Sequence, residues 1–262
     1  MSKFLKDINL KGKVAFITGA SKGLGHDLGI NLSKDNNKLF LISRDLNKLN
    51  KLKNKCHFSS KHKVFSSNLL FPNETLNIHK EVKKFFKNKI HIIIHCAGGG
   101  LGLKETDINS SELLKLLNLN ILSSIELNRL LIPSMKKKKS GKIIHIGSIA
   151  SNEAVGSLGY NIAKASLHAY VKTLGRDLAK NNIVVSGIAP GGFISKDNAM
   201  DRLKNKNIKT YKNFIKERLP RGKMGKTSEI IPLIKFLCSE NSGMMSGCLI
   251  PIDGGESKNY SF

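Results

Sequence analysis

Short apolar runs of strand length alternate along the chain with longer segments of helical period. The runs are VAFIT (14–18), KLFLIS (38–43), HKVF (62–65), IHIIIH (90–95), KIIHIG (142–147), IVVSGIA (183–189) and CLIPI (248–252). Repeated strand-then-helix order predicts an α/β fold: a parallel sheet with helices on both faces. No internal repeat, low-complexity linker or proline-rich boundary divides the 262 residues, so a single domain over 1–262 is expected.

Between the runs, the stretch from Ser110 to Lys137 carries Leu113, Leu114, Leu116, Leu117, Leu119, Ile121 and Leu122 and predicts a long, largely buried helix. Ser157 to Lys180 predicts a second. Pro190-Gly191-Gly192 closes the sixth run, and the segment that follows, 192–221, is polar, Lys-rich and weakly periodic. A segment of that kind between a strand end and a helix is expected to be a mobile substrate lid.

Composition changes this picture little. The 44 Lys and Arg against 19 Asp and Glu give a formal net charge of +25, which raises nucleic acid or an anionic surface as partner. The Lys is spread over most predicted helices beside abundant Asn, so a sequence-wide bias is the reading, and no specific nucleic-acid partner is expected. Phe85 and Phe86 among Lys83, Lys84 and Lys87 fit an amphipathic core helix as well as a basic-aromatic surface. No run approaches the ~18 to 20 apolar residues of a membrane helix, and MSKFLKDINLKGKVAF lacks a leader's apolar block, so a cytoplasmic protein without membrane contact is expected. Cys56, Cys96, Cys238 and Cys248 form no CxxC pair, which predicts free thiols and no metal site. Cys96, beside the ligand cleft, is read as a small buried hydrophobe with a reactive thiol as the alternative.

The first run is followed by Thr18-Gly19-Ala20-Ser21-Lys22-Gly23-Leu24-Gly25 and then a helical pattern. Glycines at a strand-to-helix turn let the backbone approach a pyrophosphate, and the helix N-terminus offers free N–H donors. In such a dinucleotide site the end of the second strand chooses between NAD(H) and NADP(H), because an acidic side chain there binds ribose hydroxyls and repels a 2′-phosphate. Here it reads Ile42-Ser43-Arg44: Ser43 stands where an acid is expected, Arg44 can form a fork onto a phosphate, and Lys22 can reach the same phosphate. NADP(H) is favoured, with Asp45 keeping NAD(H) open.

Tyr160 and Lys164, four residues apart, share one helix face, and Ser148 ends the fifth run. A phenol with a pKa of ~10 is a poor proton partner at neutral pH. A lysine charge at roughly 5 Å and an effective dielectric of ~20 lowers it by a little over two units, about 3 kcal/mol. Tyr160 is therefore read as the acid in carbonyl reduction and the base in alcohol oxidation. Ser148 is placed to steady the substrate oxygen.

With these residues in order, the chain resembles the short-chain dehydrogenase/reductase family from Gly12-Lys13-Val14 to Asp253-Gly254-Gly255. The TGASKGLG turn, Ala97-Gly98, Asn120, Ser148, Tyr160 with Lys164, Pro190-Gly191 and the closing Asp-Gly-Gly follow its pattern. The resemblance implies a single-domain Rossmann fold, a doubly wound sheet of seven parallel strands in order 3-2-1-4-5-6-7. It also implies a catalytic tetrad of Asn120, Ser148, Tyr160 and Lys164, with Asn120 holding a water that links Lys164 to solvent. Lys164 would also grip the nicotinamide ribose. Cofactor contacts are implied at Gly19, Ser21, Lys22, Gly23, Leu24, Gly25, Arg44, Asn68, Leu69, Ala97, Gly98, Tyr160, Lys164, Pro190, Gly191, Phe193 and Ser195. Asn68 replaces the acid that usually meets adenine, and Ser195 the threonine that meets the carboxamide. His95 and Ser186 also depart from the pattern; His95 is read as a hydrogen-bonded structural residue, with a ligand contact as the alternative.

Within the family the chain looks most like the 3-oxoacyl-(acyl-carrier-protein) reductases, through GKIIHIGSIAS, YNIAK, IAPGGFIS and RLPRGKMGKTSEI. That resemblance implies a small carbonyl or alcohol substrate carried on acyl carrier protein, with Lys139 and Lys180 as contacts near the cleft. Sugars, polyols and other small ketones are the alternative substrates. A non-catalytic NADP-binding regulator stands outside the enzyme class. The family further implies a homotetramer or homodimer built through the two long helices and the last strand.

Overall fold

The computed structural model describes residues 8–87, 89–103 and 106–260. The first seven residues, read above for a leader, lie outside the described ones. All seven apolar runs form strands: β1 (Val14–Thr18), β2 (Lys38–Ser43), β3 (Lys63–Ser66), β4 (Ile92–His95), β5 (Gly141–Ile146), β6 (Ile183–Pro190) and, last in the chain, β9 (Leu249–Ile252). They make one sheet in the order β3-β2-β1-β4-β5-β6-β9, every neighbour parallel. That is the expected order. The final strand is ninth because two short strands, β7 (Phe193–Ile194) and β8 (Gly225–Lys226), form a separate parallel pair.

Strands buried on both faces need apolar side chains at both parities, which is why the runs are continuous rather than alternating. In β1, Ile17 joins Leu39, Leu41 and Ile94 under α1 (Gly23–Ser33), α2 (Leu46–Lys55) and α9 (Thr227–Cys238). Phe16 points the other way, joining Phe40, Ile93 and Ile143 under α3 (Glu74–Phe86), α5 (Ser123–Lys138) and α6 (Leu158–Ala179). Phe85 and Phe86 belong to α3 and lie with ring centroids 5.8 and 6.0 Å from Phe40. The basic-aromatic stretch is thus the amphipathic core helix.

The predicted long helix from Ser110 is continuous to Lys138 but not uniform. It runs as α4 (Ser110–Leu117), a π-helical turn over Asn118–Leu122, then α5. Ser123 N–H reaches five residues back to Asn118 O. Such widened turns recur at functional sites because they rotate one side chain out of the regular helical register. Here that side chain is Asn120.

The weakly periodic segment expected as a mobile lid is mostly helical: α7 (Ala199–Lys206) and α8 (Ile208–Arg218). Asn198 and Asn207 cap them, accepting from Asp201 N–H at 2.9 Å and Thr210 N–H at 3.0 Å. Tyr211, Leu219 and Met224 form a small core of their own with Ile194, Met200, Leu203 and Phe214. The apolar faces are too short for periodicity to stand out among the lysines.

Candidate active site

The loops that leave the C-terminal ends of β1, β4, β5 and β6 converge on one edge of the sheet, where ligands of open α/β sheets bind. They carry the glycine turn, Ala97-Gly98, Ser148 and Gly191. Two close approaches fix the turn. Gly19 has φ +67°, and a Cβ there would lie 2.8 Å from Ala97 N; a Cβ on Gly25 would lie 2.5 Å from Gly19 O. Both obstacles are backbone, so any side chain at either position would force the turn away from β4 or lift α1 off it. Thr18 Oγ1 accepts from Ala97 N–H at 3.0 Å and ties the two strand ends together.

Against Gly98 two of the four expected catalytic side chains come together. A Cβ on Gly98 would stand 2.9 Å from Asn120 Oδ1 and 3.3 Å from Lys164 Nζ, so this backbone leaves a cradle between them. Lys164, buried in α6, donates to Ile146 O at 2.8 Å, and its Nζ lies 5.6 Å from the centre of the Tyr160 ring. Ser148 Oγ accepts from Ala150 N–H at 3.1 Å. Its own proton is left free to turn toward the Tyr160 phenol, whose acidity it favours. Asn120 is wholly engaged by backbone: Oδ1 accepts from Gly99 N–H at 2.9 Å, and Nδ2 donates to Gly99 O and Leu116 O.

Burial works against both titratable groups. It pushes the Tyr160 phenol above its ordinary value, with the Ser148 hydrogen bond pulling the other way. It depresses the Lys164 ammonium to about 8, which the neighbouring Cys96 offsets only in part. The sequence reading placed Tyr160 below its ordinary value; in this form of the protein it lies above, because desolvation of the phenolate outweighs its hydrogen bond. The Cys96 thiol is pushed up to about 12 by burial, which favours its hydrophobic reading over reactivity. His95 is buried too, lowered to about 4, with Nε2 2.9 Å from Asn128 Oδ1 and its ring stacked on His145. The structural reading of His95 holds.

The other expected cofactor residues fall into three groups. Lys22 extends from the turn just before α1, and Arg44 is exposed at the end of β2. Asp45 caps α2, accepting from Lys48 N–H at 2.9 Å. Leu24 and Leu69 are buried among the core side chains, which leaves them only backbone to offer. Asn68 Oδ1 accepts from Leu70 N–H at 3.2 Å, closing a local turn. Ser195 departs from expectation: its hydroxyl donates to Asp27 Oδ2 in α1 at 3.1 Å rather than facing the cleft, and Thr227 donates to the same oxygen at 2.6 Å. Burial raises the Asp27 carboxyl, but hydrogen bonds from His26, Thr227 and Ser195 outweigh it and hold it below its ordinary value. Lys139 and Lys180 also depart. They precede β5 and β6 and so sit at the opposite edge of the sheet from the cleft.

Sequence reasoning missed a second layer of ionic contacts behind the lid. Glu256 accepts from Gly192 N–H at 2.5 Å and pairs with Arg218 of α8 at 2.9 Å. Arg218 also donates to Val155 O at 3.2 Å, in the loop before Tyr160. Glu153, in the same loop, accepts from the N–H groups of Lys258 and Asn259. The helix α8, the loop before Tyr160 and the chain after β9 are thereby linked through two carboxylates. These partners lie 38 to 106 residues apart, so no local motif announces them.

A doubly wound parallel sheet with a glycine turn after β1 and Ser, Tyr and Lys at its C-terminal edge defines a nucleotide-dependent oxidoreductase. Residues 13–207 match the short chain dehydrogenase family, and the chain belongs to it. A 3-oxoacyl-(acyl-carrier-protein) reductase of Buchnera aphidicola is 31% identical over 251 residues, covering 93% of this chain and 96% of its own. The 7alpha-hydroxysteroid dehydrogenase of Escherichia coli K12 is 27% identical over 256 residues, 95% of this chain and 96% of its own. Among solved structures, the L-sorbose reductase of Gluconobacter frateurii, complexed with NADPH and L-sorbose, superposes with a TM-score of 0.86 at 26% identity, covering 97% of this chain and 99% of that one.

Proposed function

We propose that the protein is an NADP(H)-dependent reductase that converts a carbonyl to a secondary alcohol, or runs the reverse, with Tyr160 as proton donor. The observation that carries this is the grouping of Tyr160 with Lys164, whose Nζ lies 5.6 Å from the ring centre, and of Lys164 with Asn120 against Gly98, beside the Ser148 turn. The glycine turn at the N-terminus of α1 and the Gly98 cradle fit a dinucleotide, and when bound it would supply or take up the hydride. Ser148 orients the carbonyl oxygen and Tyr160 protonates it. The Lys164 cation favours the phenolate left behind, and Asn120 stands on the path by which that proton is replaced. The Lys22 and Arg44 side chains would hold the 2′-phosphate. Asp45, which keeps NAD(H) open, has its carboxylate turned to the α2 N-terminus.

For the substrate we favour a 3-oxoacyl thioester on acyl carrier protein, supported by the Buchnera relative. A sugar or polyol is the second reading, favoured by the likeness to the sorbose reductase. In this reading the protein works in the cytoplasm as a homotetramer or homodimer. Exposed Leu114, Leu122, Leu158 and Ile162 along α4 to α6 would be covered there. Steady-state kinetics with both cofactors tests the cofactor reading. Arg44→Ala is expected to raise the KM for NADPH about tenfold, the loss of one charge-assisted contact, and to leave NADH unchanged. A wild-type preference for NADH would refute it.

A further inference from the structure

The chain leaving β7 crosses directly over the glycine turn. Gly23 N–H donates to Lys196 O at 3.2 Å. The next residue, Asp197, sits in the left-handed region at φ +62°, where Asp is tolerated better than most residues. It is held there by its neighbours: its N–H donates to Asp201 Oδ2 at 2.9 Å, and Arg202 donates to its carbonyl. Its carboxylate pairs with Lys48 Nζ of α2 at 2.9 Å. That bond joins residues 149 apart in the chain.

Asp197 is surrounded by cations. Burial lowers the Lys22 pKa, and the charges of Arg202, Lys48 and Arg44 lower it further, while Asp197 is the one charge that raises it. The Asp197 carboxyl in turn lies below its ordinary value through its bond and charge interaction with Lys48, then through Lys196 and Lys22. Four cations therefore come together from the glycine turn, the end of β2, α2 and α7. Among the described residues, no carboxylate other than Asp197 forms an ion pair with any of them. A basic composition scatters cations over a surface; here Lys48 bonds the Asp197 carboxylate, Arg202 bonds its carbonyl, and Lys22 and Arg44 lie within charge range of the same cluster beside a nucleotide turn.

We infer that Asp197 is an internal stand-in for the cofactor 2′-phosphate, occupying the cation cluster until NADP(H) displaces it. Lys48 and Arg202 then join Lys22 and Arg44 in selecting the phosphorylated cofactor, and Asp197 tunes its affinity by competition. This rests on the NADP(H) reading above.

Equilibrium titration of NADPH and NADH fluorescence with the intact protein tests it, using Asp197→Asn and Lys48→Gln. The Lys48–Asp197 pair is half exposed on both sides, so its removal should leave thermal stability unchanged, a check that both variants fold. Asp197→Asn should bind NADPH about three- to tenfold more tightly, the effect of removing one nearby like charge in a solvent-exposed site. Lys48→Gln should weaken NADPH by a similar factor, and neither should alter NADH. Equal tightening of both cofactors by Asp197→Asn would overturn the phosphate-mimic role and make the contact a general latch. No change in either variant would reduce it to a surface ion pair. Tighter binding of NADH than NADPH by the unaltered protein would instead strike the cofactor reading itself.

Discussion

Tyr160→Phe should lower kcat by about 10²- to 10⁴-fold, the usual worth of a positioned proton donor, while NADPH affinity stays close to that of the parent. The phenyl ring fills the same space, and the fold at this point is set by other groups. A Cβ on the preceding residue, Gly159, would stand 2.5 Å from Leu116 Cδ1, showing how closely α6 packs on α4. Only the hydroxyl is lost, and with it the Ser148 partner. Pre-steady-state turnover at saturating NADPH, with cofactor binding measured separately, checks it. A variant with parental kcat would make Tyr160 a bystander, and a variant that loses turnover and cofactor binding together would make it a structural residue.

Lys164→Met is expected to divide function from stability in opposite directions. Its ammonium falls from the ordinary 10.5 to about 8 on burial, so holding it charged in the folded chain at neutral pH costs about 3 kcal/mol. The methionine removes that cost but leaves Ile146 O without its donor, which takes back about 1 kcal/mol. The expected net gain is about 1 to 2 kcal/mol, with activity reduced at least ~10²-fold. The sign of the pH dependence gives an independent check. Between about pH 8 and 10.5 the unfolded chain holds the Lys164 proton more tightly than the folded one, so parental stability should rise with pH across that window. In the variant this contribution disappears. Urea unfolding at several pH values reads both effects, and a destabilised variant with an undiminished slope would show that Lys164 is not the buried cation inferred here.

Much of the fold was legible because a sheet covered on both faces writes itself as seven apolar runs, and the glycine turn and the Tyr160–Lys164 spacing are local patterns. The lid was not. Its helices are marked chiefly by the caps Asn198 and Asn207, and in an Asn-rich chain a capping asparagine looks like any other. The π-helical turn at Asn120 was equally hidden, since a single widened turn leaves the run of leucines unbroken. Ser195 followed the resemblance rather than its surroundings: the acceptor that redirects it, Asp27, is 168 residues away. Lys139 and Lys180 precede the fifth and sixth runs, so the strand direction that brings Ser148 to the cleft already puts them at the other edge; they follow the resemblance rather than the pattern. The direction of the Tyr160 shift failed for a different reason. Charge proximity was counted in the sequence, whereas the desolvation that opposes it depends on packing.

Burial alone makes Tyr160 a weak acid in the free protein; the positive charge of an oxidised nicotinamide beside the phenol, added to that of Lys164, would make it a stronger one in the complex. The direct measurement is an ultraviolet titration of the Tyr160 phenol, by difference against Tyr160→Phe, with and without NADP⁺. The account predicts an apparent pKa above the ordinary ~10 in the free protein and below it in the complex. An unchanged value in the two states would contradict it.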